Sequence, residues 1–170
     1  VRSAQPEALP LPDLSQLNIG GQMECSLTRL IAMLDFIGAR VLRCPRLEDG
    51  GAWLRENVPV TAKIASNVPG LSGNVDLQAI NDPHDLDGVH TAILSARFAV
   101  CENGALWLDE SELGLHRVLP MIAEHLFLVL KADAIVADMH EAYQQVGQIQ
   151  SGFGLFLAGP SKTADIEQCL

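Results

Sequence analysis

The sequence predicts one α/β domain built on a mixed, mostly parallel sheet with helices on both faces. Three observations predict it: an amphipathic helix that stops at a glycine before an apolar segment, repetition of that alternation, and a composition suited to one core. With 170 residues, 48% of them hydrophobic, the chain can bury one sizeable core and is short for two. Alternating helices and strands favour parallel pairing with helices packed over the sheet.

Val1 to Asn18 carries Pro6, Pro10 and Pro12 among polar residues. Prolines fix φ and remove donors, so residues 1–18 read as an extended arm and 19–170 as the domain. From Ser26 to Ile37, Leu27, Leu30, Ile31, Met33, Leu34 and Ile37 recur at three- and four-residue steps and end at Gly38. That spacing predicts a helix, followed by a strand over Ala39–Cys44. A second helix is expected near Leu47–Glu56 and a short strand over Thr61–Ser66, bounded by Asn67, Pro69 and Gly70. Strands follow at Thr91–Ser95, Phe98–Cys101, Ala105–Leu108 and Leu126–Leu130, the last read as buried. A helix over Lys131–Val146, an interior strand over Gly154–Ala158 and a closing helix from about Ser161 complete the pattern.

The charge balance excludes one class of partner. A formal net charge of −10 opposes nucleic-acid binding, which rests on Lys and Arg neutralising phosphates. The longest purely apolar stretch, Leu126–Leu130, is far below the roughly 20 residues of a membrane-spanning helix. The polar, Pro-rich start has no secretory apolar core, so the expected location is cytoplasmic. Cys25, Cys44, Cys101 and Cys169 form no C-x-x-C pair, which leaves neither a zinc knuckle nor an iron–sulfur ligand run. They read as isolated buried thiols.

In "FAVCENGALWLDE", Asn103-Gly104 separates two apolar strands, a pattern that predicts a two-residue type I′ hairpin. The hairpin accounts for Asn103 and Gly104 and leaves Glu102 over. Glu102 reads either as a wet rim charge or as a carboxylate nucleophile or base held on a rigid turn.

The segments "VCENGALW" (100–107), "LPMIAEHLFLVL" (119–130), "IVADMHEAY" (135–143) and "GFGLFLAGPSKTADIEQ" (152–168) resemble, in order, the lactate-utilisation (LUD) domain family. The likeness is to its lactate-utilisation protein C-like members and covers roughly the second half of the chain. It implies a NagB/RpiA/CoA-transferase-like fold and a role in L-lactate oxidation to pyruvate beside iron–sulfur partner proteins. Glu102-Asn103-Gly104 also resembles the tripeptide in which CoA transferases carry a thioester-forming glutamate, a likeness that maps Glu102 alone. The family pattern continues beyond Leu170 into a further strand and a Gly-x-His-Gly segment.

Gly159-Pro160-Ser161 turns an apolar strand into a polar, helix-like tail. Unpaired amides at a helix start attract anions; Ser161 and Thr163 add hydroxyls, Lys162 a positive charge, and strand ends are where α/β folds place ligands. The alternative is a plain cap with Ser161 as N-cap. The resemblance favours binding and adds Asn103, Gly104 and Asp165 to the candidate ligand-binding set, although Asp165 and Glu167 also complement a helix dipole.

"NDPHDLDGVH" gathers Asp82, His84, Asp85, Asp87 and His90, yet Pro83 and Gly88 make it a turn and the spacing fits no metal motif, so no metal ligand is assigned. His125 and His140 fall in the family-like segments and are secondary candidates. Nothing in the spacing specifies a cofactor. Three functions remain: a lactate-utilisation subunit binding a small anion, an acyl- or CoA-transferase or hydrolase using Glu102, and a protein-interaction module without a ligand.

Overall fold

The computed structural model describes residues 25–147, 149 and 151–160. Helix α1 spans Leu27–Ile37. The Ser26 hydroxyl accepts from the Arg29 amide, and the helix ends where Gly38, at φ 91°, donates its amide to Asp35. Such a left-handed C-cap favours glycine. The strand expected over Ala39–Cys44 is not formed. Val41 and Leu42 are exposed because Arg40 and Arg43 break the apolar run and no described strand lies alongside it. Helix α2 follows at Leu47–Asn57, with the Asp49 carboxylate accepting from the Arg46 amide.

The strands form two sheets. In the first, β1 (Ile64–Ser66), β2 (Thr91–Ser95) and β5 (His125–Val129) run parallel in the order β1-β2-β5. In the second, of order β6-β3-β4-β7, β3 (Phe98–Val100) pairs parallel with β6 (Ile135–Val136) and antiparallel with β4 (Leu106–Asp109). β4 pairs antiparallel with β7 (Gly154–Leu157). The expected mixed, mostly parallel α/β architecture is thus observed, divided between two sheets. Short helices α3 (Glu110–Leu113) and α4 (Leu119–Ile122) link β4 to β5, and α5 (Met139–Val146) follows β6.

Side-chain alternation along the strands builds the layers. Ala92 and Leu94 of β2 join Leu30 and Leu34 of α1, Leu113 of α3, Leu119 of α4, and Ala99, Leu106 and Leu108 of the second sheet in one central core. Ile93 points the other way, toward Leu47 and Leu54 of α2. On the far face of the second sheet, Phe98, Val100, Trp107 and Val136 pack with Ala142 of α5.

Three further expectations change. Only Met139–Val146 of the helix expected over Lys131–Val146 is helical. Ile135–Val136 joins β3, as β-branched residues favour, and the Asp138 side chain caps α5 by accepting from the Glu141 amide at 2.9 Å. Leu126–Leu130 is half-buried, because β5 is the outer strand of its sheet among the described residues. β7 is likewise an edge strand there, pairing with β4 alone. Residues 1–18 and the closing helix lie outside the described residues.

Candidate functional site

The Glu-Asn-Gly turn is a longer loop than the expected type I′ hairpin, which requires positive φ at both central residues. Only Gly104 has one, at 71°. Val100 donates to Ala105 at 2.8 Å and accepts from Gly104 at 2.9 Å, so Cys101–Gly104 form the loop. The Asn103 carboxamide oxygen accepts from the Ala105 amide at 3.0 Å, an Asx turn in which the side chain stands in for backbone.

Glu102 is exposed, and its carboxylate accepts the Met139 amide at 3.0 Å. Glu141 reaches back to the Ala137 amide at 2.9 Å while Asp138 caps the same helix. Three carboxylates therefore meet the start of α5, where unpaired amides and the helix dipole favour negative charge.

Gly104 and Gly159 approach the same side chain. A Cβ on Gly104 would stand 2.9 Å from Ile37 Cδ1, and one on Gly159, whose φ is 54°, would stand 2.9 Å from Ile37 Cγ1. The hairpin loop and the Gly159-Pro160 corner thus flank the C-terminal end of α1. Ser161, Lys162, Thr163 and Asp165 lie outside the described residues. His140 is exposed on α5, directly after Met139, whose amide donates to Glu102. His125 lies at the start of β5 in the other sheet, with its ring 4.7 Å from that of His90.

Two arrangements escaped the sequence reading. The Cys25 and Cys101 sulfurs lie 3.4 Å apart across 76 positions, and Cys25 and Cys44 are exposed while Cys101 is buried. Though Cys25 is exposed overall, partial burial of the Cys25 sulfur against Cys101 pushes its thiol up to about 11, and contact with Cys101 and the charge of Glu141 act the same way. Contact between distant positions leaves no local spacing signal.

The second is an ionic network. Asp109, 2% exposed, meets Arg97 Nε at 3.2 Å and accepts from the Ser111 amide and hydroxyl, while Arg97 also reaches Glu112 at 3.2 Å. Burial pushes the Asp109 carboxyl up, but the Ser111 hydrogen bonds, Glu112 and Arg97 outweigh it and hold the group below its ordinary range. Here the signal existed: Asp109-Glu110-Ser111-Glu112 has the Asp-x-x-Glu spacing of a capping box, and both halves of the box form.

The fold and the two flanking turns define a mixed α/β domain whose hairpin loop and Gly-Pro corner share one helix end. The chain belongs to the LUD domain family, whose profile matches residues 54–170. At the level of the family this carries a lactate-utilisation-related role. A crystal structure of a DUF162 family protein from Deinococcus radiodurans is similar, with a TM-score of 0.63 at 16% identity over 79% of this chain and 89% of that one. At that identity the likeness shows the fold. No curated protein matched. Among the described residues no helix is long and apolar enough to cross a membrane.

Proposed function

We propose that the chain is a subunit of a system oxidising L-lactate to pyruvate, working beside iron–sulfur partner proteins. In this reading it binds a small carboxylate- or phosphate-bearing ligand at the Gly159-Pro160-Ser161 corner. The observation that carries it is the approach of Gly104 and Gly159 to Ile37, which brings two family-like segments to one helix end. From the sequence, Lys162 offers a positive charge and Ser161–Thr163 hydrogen-bond donors suited to an anion. In this reading Asn103 and Asp165 are further polar groups for the ligand.

The reading is tested by titrating 15N-labelled protein with L-lactate, pyruvate and inorganic phosphate. The expected result is saturable shifts at the amides of Gly104, Gly159 and Ser161–Thr163, weakened by Lys162→Glu. Absence of shifts there with all three probes would overturn it.

A second reading, acyl transfer through Glu102, needs the carboxylate free to attack a carbonyl. The Met139 hydrogen bond and the exposure of Glu102 favour a capping role. Hydroxylamine trapping after incubation with acyl-CoA would label Glu102, and not Glu102→Gln, if transfer occurred.

A further inference from the structure

We propose that His90, Glu124 and His125 form a binding site for a divalent transition-metal ion of the zinc class. The three stand on adjacent parallel chains. Thr91 of β2 is in register with His125 of β5, the His125 amide donates to the His90 carbonyl at 2.8 Å, and the Glu124 amide donates to that of Val89 at 3.3 Å. This pairing extends the ladder one step before β2 begins and puts the three side chains at one end of the first sheet. One ligand atom from each lies within 4.8 Å of the others, and the imidazole centroids are 4.7 Å apart at 50°.

Two imidazoles and a carboxylate are a donor set that suits zinc and its neighbours, with a fourth position open to water or a carboxylate ligand. Tetrahedral ligation places donor atoms about 3.3 Å apart, so the cluster needs to close by only about 1.5 Å. The side chains of Glu124 and His125 are exposed and free to make that adjustment.

The His90 ring is already oriented. Its Nδ1 is 2.7 Å from the hydroxyl of Thr91, a residue with no exposed surface. If Nδ1 donates to that hydroxyl, Nε2 keeps its lone pair for a metal, the outer hydrogen bond that fixes the tautomer of ligating histidines. Strand pairing assembles the cluster from positions 34 and 35 residues apart in sequence, so no spacing motif marks it.

The test is a Co2+ titration of the intact, reduced chain, followed by visible absorption and by 1H NMR. We expect one Co2+ per chain, displaced by Zn2+, with d–d bands and no thiolate charge-transfer band, and two hyperfine-shifted imidazole N–H signals. The His90→Ala/His125→Ala variant should lose the site, and Thr91→Val should weaken it by roughly tenfold as a positioning residue. Three outcomes overturn the proposal: no stoichiometric Co2+ on the wild type, a thiolate band placing the ion on Cys25 and Cys101, or shifted imidazoles belonging to other histidines. All three are read on the wild-type protein and so do not depend on the variants folding.

Discussion

The Glu102 carboxylate accepts a hydrogen bond from the Met139 amide at 3.0 Å, tying the hairpin loop after β3 to the first turn of α5. The contact spans two elements of the second sheet layer and adds to the caps from Asp138 and Glu141. Glu102→Ala should lower unfolding stability by about 1 kcal/mol. Glu102→Gln, which keeps the acceptor and loses the charge, should cost about half of that. Urea denaturation at low ionic strength measures both. An unmoved midpoint for Glu102→Ala would remove the cap.

Asp109 should matter more, because it is buried and Arg97 depends on it. Asp109→Asn leaves the guanidinium beside a neutral amide and weakens the α3 cap, with an expected loss of about 2 kcal/mol, moderated by the part-exposed Arg97. The carboxyl is held below its ordinary value of 3.8 in the folded state. Its stabilisation is therefore present above that value and is lost as pH falls below it through the lowered folded value. Acid unfolding from pH 5 downward should be shallower for Asp109→Asn than for the wild type.

The strongly patterned elements were legible and the cross-chain ones were not. Helix α1 was readable from its apolar spacing and from Gly38, β2 from its apolar run, and β3 and β4 from the apolar runs around an Asn-Gly turn. A helix is expected over Lys131–Val146, yet Ile135–Val136 pairs with β3 and the helix begins only at Met139, since a ladder outweighs the small propensity differences involved. The candidate site was legible where it is local. Glu102, Gly104 and Gly159 were singled out from their own segments, whereas their common neighbour Ile37 lies far away in sequence. The Glu102 cap on α5 and the contacts of Cys25 with Cys101 and of His90 with His125 are likewise products of tertiary packing.

The Cys25–Cys101 contact predicts a selective oxidation. With oxidised glutathione, one thiolate attacks the added disulfide, the second displaces the bound glutathione, and two glutathione thiols leave as one intramolecular disulfide forms. Mass spectrometry should show the loss of two hydrogens per chain and a linked Cys25–Cys101 peptide, both absent in Cys25→Ser. A glutathionylated Cys25 that never closes onto Cys101 would refute the contact. Because the Cys25 thiol is pushed from 9.0 up to about 11, its reaction should be slow near neutral pH. Its stabilisation is intact below pH 9 and is lost as pH rises from 9 through 11, where the unfolded chain ionises first.

The shared approach of Gly104 and Gly159 to Ile37 yields a double-mutant cycle. Gly104→Ala should cost about 2 kcal/mol, of which about 1 comes from placing a Cβ at φ 71° and about 1 from overpacking against Ile37 Cδ1. Ile37→Val deletes that Cδ1 and keeps Cγ1. In the Ile37→Val background the Gly104→Ala penalty should therefore fall by about 1 kcal/mol, or about 2–4 °C in Tm for a domain of this size. Gly159 behaves differently: a Cβ there would meet Ile37 Cδ1 at 3.0 Å, but also Ile37 Cγ1 at 2.9 Å and the Ile37 carbonyl oxygen at 3.1 Å, and the last two survive Ile37→Val. Its penalty should largely persist. Thermal melts of the four single and double variants, with the two parents, decide the matter. Additivity at Gly104 would mean that the hairpin loop does not rest on Ile37, and strong coupling at Gly159 would mean that the corner meets only the tip of that side chain.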